Sequence, residues 1–408
     1  REIGGEDIAV DNEIRLLKEK HDVSVIKFDN NIENIFVQIF YFLINKNLKS
    51  IRILKEEIIR FNPDCVYVHN TWFKASLGIF KILKKSNINT IIKLHNFRYS
   101  CTRSFRSTFH LHNDEFCLKC GYTEKNIGNI NKYFKDSYTK SLLVTHCGKE
   151  YFKILKDPFF KIAVLTDFHK KYLENLDFHN KIFVFHNYLE IKDTVKKDIE
   201  DNYLVYAGRI SSEKGVQELI NSFSKSKLSN FNLKIIGEGP LSLDLDSSTN
   251  IEFLGRLEND KVLKLVGLSV AVVSATKLFE GQPNLLCEAS TLGIPSIFPK
   301  SGGIEEFFPK DNILSFDQYN YDDLIEKLNF LQDENLAKKI GTYEISIEPH
   351  DDACAMLAPK NPMTSGRPDI CLDYVEKNPF QEEMNEAIKS AKKISFNKAR
   401  QHYFFGNL

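Results

Sequence analysis

Short apolar runs recur along the chain, separated by longer stretches in which apolar residues return every three or four positions. Val23-Ser24-Val25-Ile26, Cys65-Val66-Tyr67-Val68, Thr90-Ile91-Ile92-Lys93-Leu94, Ala163-Val164-Leu165 and Ile182-Phe183-Val184-Phe185 read as strands of a first half. Tyr203-Leu204-Val205-Tyr206-Ala207, Leu233-Lys234-Ile235-Ile236, Ile251-Glu252-Phe253-Leu254, Val270-Ala271-Val272-Val273-Ser274 and Pro295-Ser296-Ile297-Phe298 repeat the pattern in a second. Between them, residues 7–20 carry Ile8, Val10, Ile14 and Leu17 at helical spacing, and 72–85, 168–176, 216–223 and 260–266 read as further helices. Near-continuous apolar runs suit strands buried on both faces. Strands alternating with helices predict an α/β fold with parallel sheets covered on both sides.

The breaks in this pattern divide the chain. With 408 residues, two domains are expected. The polar stretch 187–202 reads as the linker between a first domain over 1–190 and a second over 200–340. Gly4-Gly5 forms a turn directly before the helix at 7–20, and the strand that normally precedes such a turn is missing. Residues 341–384 are atypical: five prolines fall in 341–380, and all three methionines lie between 356 and 384. This text reads as loop or insertion. Residues 385–403 return to a helical pattern, so 385–408 is expected to close the fold as a helix returning to the first domain.

Composition narrows the function classes. Lys plus Arg equals Asp plus Glu at 55 each, so no global charge argues for nucleic acid. No run approaches the roughly eighteen apolar residues of a membrane span. No signal peptide is seen, and the expectation is a cytoplasmic protein. Eight cysteines scattered over the chain are not a disulfide framework; free thiols in a reducing compartment are the simpler reading. Cys101, Cys117, Cys120 and Cys147 fall in a polar excursion over 97–151. Cys117-x-x-Cys120 has the spacing of half a zinc knuckle, so a structural metal site stands as the weaker alternative.

Chemistry concentrates where strands end. His69-Asn70 and His95-Asn96 close two successive runs, where an open α/β sheet places its cleft. Gly208-Arg209 follows another, with Lys214 five residues on. Arg offers a planar fork and Lys a mobile point charge to phosphate oxygens, although two solvated bases would look the same. After Ser274 comes Phe279-Glu280-Gly281-Gln282-Pro283-Asn284-Leu285-Leu286-Cys287-Glu288-Ala289. A helix start there offers N–H groups and partial positive charge to a diphosphate. Glu280 lies in the loop and Glu288 about two turns into the helix; two carboxylates suit neighbouring hydroxyls of a polyhydroxylated ligand. The same spacing also fits a plain helix start with two ordinary glutamates.

Taken in order, the second half resembles the C-terminal domain of the retaining GT-B glycosyltransferases of family four. The matching residues are Gly208-Arg209 with Lys214, Ile235-Ile236-Gly237-Glu238-Gly239-Pro240, Phe253-Leu254-Gly255-Arg256, Glu280 with Glu288-Ala289, Gly293-Ile294-Pro295 and Gly302-Gly303. The first half is similar through Gly4-Gly5-Glu6, Pro63-Asp64 before Val66-Tyr67-Val68-His69-Asn70, and Leu94-His95-Asn96-Phe97-Arg98. The excursion is similar to a bacterial subgroup that makes surface polysaccharides.

The resemblance implies two Rossmann-like domains with parallel sheets facing across a cleft. It implies transfer, with retention, of a sugar from a nucleoside-diphosphate sugar to a saccharide or lipid-linked acceptor. Arg209 and Lys214 would neutralise the departing diphosphate, so no cofactor or catalytic metal is expected. Glu280, with Gly281, Gln282, Pro283, Asn284 and Leu285, would hold donor sugar and phosphate. Glu288 would bind the ribose, Gly208, Gly4 and Gly5 would let backbone approach the diphosphate, and His95 would face the donor sugar. A lipid-linked acceptor would bring peripheral contact with the inner membrane face. A GT-B epimerase, or a non-catalytic nucleotide-sugar-binding protein or inactive fragment, are the alternatives.

Overall fold

The computed structural model describes residues 5–28, 35–69, 75–97, 138–179, 181–189, 202–243, 250–309, 312–332 and 402–407. They form two compact units that part between Tyr188 and Leu189.

The first unit runs α1 (Gly5–Lys20), β1 (Asp22–Lys27), α2 (Ile35–Leu43), α3 (Leu48–Phe61), β2 (Cys65–His69), α4 (Gly78–Lys85), β3 (Asn89–Leu94), α5 (Tyr138–Leu155), β4 (Lys161–Val164), α6 (Asp167–Glu174) and β5 (Ile182–Val184). The expected helix over 72–85 starts late, at Gly78, because Ser76 takes a left-handed φ of 57° just before it. Helix α3 begins where Asn47 accepts bonds from the N–H groups of Lys49 and Ser50, and stops where Asn62 turns left-handed. Val10, Ile14 and Leu17 of α1 pack on Cys65, Tyr67, Ile91, Ala163 and Phe183 of the sheet.

The second unit continues with β6 (Tyr203–Ala207), a 3-10 turn (Ser212–Lys214), α7 (Val216–Lys225), β7 (Asn232–Ile236), β8 (Ile251–Gly255), α8 (Asn259–Gly267), β9 (Ala271–Val273), α9 (Asn284–Thr291), β10 (Ser296–Lys300), β11 (Ser315–Asp317) and α10 (Tyr321–Phe330). Its sheet is parallel throughout, in the order β11-β10-β9-β6-β7-β8. Successive residues of β6 divide between two cores, Leu204 and Tyr206 on one face, Tyr203 and Val205 on the other. That explains the unbroken apolar text of its strands.

The first sheet departs from expectation at one place. Its order is β1-β12-β2-β3-β4-β5, all parallel, and β12 is His402–Asn407 from the far end of the chain. β12 therefore lies between β1 and β2. The closing helix expected through 403 gives way to this strand; 385–401 lie outside the described residues. Backbone pairing on both edges, Asp22 to Lys27 on one side and Cys65 to Val68 on the other, outweighs a helical side-chain pattern at a central position of the sheet.

Removing 402–408 strips hydrogen bonds from both neighbouring strands. The truncated chain should lose cooperative melting of the first unit and gain protease cleavage there, while the second unit melts as before. Unchanged melting of the first unit would show that β12 adds nothing to its stability.

Candidate functional site

In the second sheet the strand order reverses between β6 and β9, which lie side by side. The loops leaving the C-terminal ends of such a pair diverge and open a crevice. The loop after β6 carries Gly208, Arg209 and Lys214; the loop after β9 carries Thr276 to Pro283.

These two loops are tied together. Lys214 Nζ donates to Glu280 Oε1 at 2.6 Å, and Thr276 Oγ1 donates to the same oxygen at 2.9 Å. Lys277 N–H donates to the Glu213 carbonyl at 2.9 Å. Gly215 lies at φ 67°, and a Cβ there would sit 1.9 Å from the Ala275 carbonyl oxygen. Gly302 closes the other side of Glu280: at φ 62°, a Cβ would meet the Glu280 carbonyl oxygen at 2.3 Å. Side chains at these two positions would push the loops apart. Gln318 braces the back of the β9 loop, reaching the Thr276 and Leu278 carbonyls at 3.1 and 3.2 Å and Ser301 Oγ at 2.8 Å.

Arg209 is exposed at the mouth of this crevice, and no ion-pair partner for it occurs among the described residues. Its carbonyl is held by the Tyr206 hydroxyl at 3.0 Å, which fixes the backbone under the guanidinium. Gly281 and Gln282 are buried, and α9 starts at Asn284 with Pro283 before it and no side-chain cap. First-turn N–H groups of a helix have no intrahelical partner, so this end can receive an anion. Glu288 is the fifth residue of α9, one turn in rather than the two expected. The structure thus gathers Lys214 and Glu280 in direct contact, with Gly208 and Arg209 on the adjoining loop.

In the first unit, His69 and His95 end adjacent strands and meet: His69 Nδ1 lies 2.9 Å from His95 Nε2. Behind them, Lys93 Nζ contacts Glu13 Oε1, with both side chains at most 1% exposed, and the Tyr67 hydroxyl lies against the carboxyl. Burial pushes the Glu13 carboxyl up and the Lys93 ammonium down, and their contact opposes both shifts. His69 Nε2 is 3.9 Å from Glu13 Oε2. One ring donates to the other in this contact, the direction following the tautomer. His95 Nδ1 is buried and without a hydrogen-bond partner among the described residues, so it has capacity for one more hydrogen bond. Sequence reasoning missed Glu13, Tyr67 and Lys93. Lysine inside an apolar strand and glutamate between the core positions Val10, Ile14 and Leu17 of α1 were the available signal, since buried charges come in pairs.

Gly5 is the first residue of α1, and Gly4 lies outside the described residues, as do Cys101, Cys117 and Cys120. Cys147 is buried in α5, where burial pushes its thiol up to about 12.

Comparison with known proteins follows these units. Residues 188–346 match the family model described as Glycosyl transferases group 1. The chain is similar in fold to sucrose-phosphate synthase from Thermosynechococcus elongatus, with a TM-score of 0.61 at 13% identity, covering 96% of this chain and 94% of that one. It is similar in fold to Anabaena Alr3699/HepE in complex with UDP at 0.57 and 11%, covering 95% and 97%. For a glycosyltransferase from Rickettsia africae ESF-5 the values are 0.52 and 17%, covering 83% and 87%. The architecture is the α/β fold with two parallel sheets found in GT-B glycosyltransferases. A different likeness covers the atypical segment. Residues 331–380 match the model of Thiamine biosynthesis protein (ThiI). Probable tRNA sulfurtransferases are similar there: that of Coxiella burnetii is 44% identical over 54 residues, 13% of this chain and 14% of that protein. That of Thermotoga maritima is 41% identical over 58 residues, 14% and 15%. The chain spans about a seventh of the length of these curated relatives.

Acid should act more on the first unit than on the second. Burial pushes His169 down to about 3, and burial chiefly pushes His186 down to about 4, with His69 and His95 also well below their ordinary range. The unfolded chain protonates these rings near about 6.5. The stability from keeping them neutral is therefore present above that pH and is lost as pH falls toward the folded values. His169 alone implies a loss of about 2 kcal/mol at about pH 5. Residues 189–349 contain no histidine. Calorimetry at pH 7 and 5 should show the first unit's transition falling more than the second's; equal shifts would contradict this.

Proposed function

We propose that the protein is a retaining glycosyltransferase. It moves a sugar from a nucleoside diphosphate to a saccharide or lipid-linked acceptor, in bacterial cell-surface polysaccharide synthesis at the inner membrane face. The observation that carries this reading is the tied crossing of the β6 and β9 loops at the strand-order reversal, with Lys214 on Glu280 beside the exposed Arg209. The match of residues 188–346 to Glycosyl transferases group 1 supports it, as does the fold shared with a protein solved in complex with UDP.

In this reading the bond from the anomeric carbon to the diphosphate oxygen breaks as the acceptor oxygen bonds to the same face of that carbon. The acceptor's hydroxyl proton passes to the departing phosphate oxygen. Arg209 and Lys214 stabilise the charge that develops on the diphosphate, where fixed charges contribute most. The Glu280 contact keeps Lys214 extended into the crevice before the donor arrives, so its position is preorganised. Glu280 and the start of α9 hold donor sugar and phosphate, Glu288 the ribose, and His95 Nδ1 a donor-sugar hydroxyl. The two cations take the part a divalent metal plays in other sugar transfers, and no cofactor is required.

Labelled uridine, guanosine and adenosine diphosphate sugars, each with and without saccharide acceptors, test the proposal. One donor should be hydrolysed or transferred, with retention visible in the anomeric proton of the product. Arg209→Ala should lower kcat by about 10²- to 10³-fold, the usual loss of one charge-stabilising group. Glu288→Ala should act chiefly on the donor KM. Turnover unchanged in both variants would refute the proposal. An isomerised donor sugar without acceptor would favour the epimerase, and donor binding without turnover a binding protein.

A further inference from the structure

Two neighbours in the turn between β11 and α10, Gln318 and Tyr319, hold three successive carbonyls of the β9 loop. Gln318 Nε2 donates to those of Thr276 and Leu278, and the Tyr319 hydroxyl donates to that of Lys277 between them at 3.0 Å. Ser301 Oγ also donates to the Leu278 carbonyl, at 2.7 Å. Lys277 is fixed at two further points. Its N–H lies on the Glu213 carbonyl, and its ammonium contacts Glu218 of α7. Two residues beyond Leu278, the Gly303 N–H holds the Glu280 carbonyl at 2.9 Å. Carbonyls of a surface loop can be satisfied by water, which fixes nothing in place. Side-chain donors from a second turn fix the loop itself.

The turn that supplies them is strained and held. Tyr319 lies at φ 71°, in the left-handed region that bulky residues seldom adopt. Around it the Asn320 N–H donates to the Asp317 carbonyl at 2.9 Å, and the Asp317 N–H to Asp323 Oδ2 at 2.9 Å. Asn320 caps α10 by accepting from the Asp323 N–H at 3.1 Å. Backbone strain that the surroundings hold in place marks a functional candidate. The contacts lead to the crevice. Gln318 holds the carbonyl of Thr276, whose hydroxyl donates to Glu280 Oε1, the oxygen that also takes Lys214 Nζ.

We propose that Gln318 and Tyr319 are positioning residues for the transfer: they fix the β9 loop so that Thr276 keeps Glu280 on Lys214 while the donor reacts. The inference rests on the transferase reading and adds to it residues that touch no substrate. The test uses the full chain. Tyr319→Phe removes one hydroxyl and keeps ring and backbone; Gln318→Ala removes all three of its contacts. By hydrogen exchange the Lys277 and Leu278 amides should open about tenfold faster in each variant, with those of β10 unchanged. On the donor that the parent hydrolyses, kcat should fall about tenfold while the donor KM stays within about twofold. Tyr319→Phe should melt with the parent. Thr276→Val alone should show a similar loss of kcat. Combined with Tyr319→Phe it should lose little more, because groups acting through one chain of contacts are not additive. Unchanged exchange in both variants overturns the proposal, as does a kcat equal to the parent's or losses that multiply in the pair. Exchange needs no donor, so failure of this clamp and failure of the transferase reading are read separately.

Discussion

The second unit depends on two loops passing within van der Waals distance of each other at the point where strand order reverses. Gly215 against the Ala275 carbonyl and Gly302 against the Glu280 carbonyl leave no room for a methyl group. That closeness puts Lys214 Nζ on Glu280 without help from a ligand. Both partners are partly exposed, at 31% and 23%, so the pair adds little to stability. Its value is positional: a flexible lysine is held in one place, so less ordering remains for any anion that binds it. The cores on the two faces of the sheet supply the rigidity, and the glycines convert it into a fixed approach.

The first unit solves the opposite problem. It buries Lys93, Glu13 and His69 at 1% exposure or less, with His95 at 7%. A buried ion pair is weak evidence for stability, since desolvation offsets the attraction, but losing one partner is costly. The two rings bond to each other and leave His95 Nδ1 with capacity for one more hydrogen bond. The same desolvation that keeps the histidines neutral makes this unit the more acid-sensitive one.

Much of the architecture was legible because burial on both sheet faces writes itself as unbroken apolar runs. All ten runs named from the sequence are strands, and four of the five helices expected between them begin within two residues of expectation. The exception, at 72–85, fails because Ser76 adopts a backbone state that composition does not announce. Helix α2 was passed over: Ile35–Leu43 is nearly all apolar, so no polar face marks a helical period. At the site, Arg209, Lys214, Glu280 and Glu288 were visible through strand-to-loop spacing, whereas Gln318 was not. Its three acceptors come from segments up to 42 residues away, and no local pattern marks it.

By itself the sequence determined the α/β class, the two parallel units, the loops that carry charge and the text at 341–384 that belongs to another pattern. These are local properties, set by period, punctuation and residue chemistry. Only the tertiary structure decided that Lys214 meets Glu280, that His69 meets His95, and that Glu13 and Lys93 stand behind them. It also decided that His402–Asn407 lies between β1 and β2 in the first sheet. A strand's partners are chosen by which backbone edges remain open once the rest has packed, and a central slot can be filled by any segment that reaches it. Order along the chain records who is connected, and pairing between edges is a property of the whole fold.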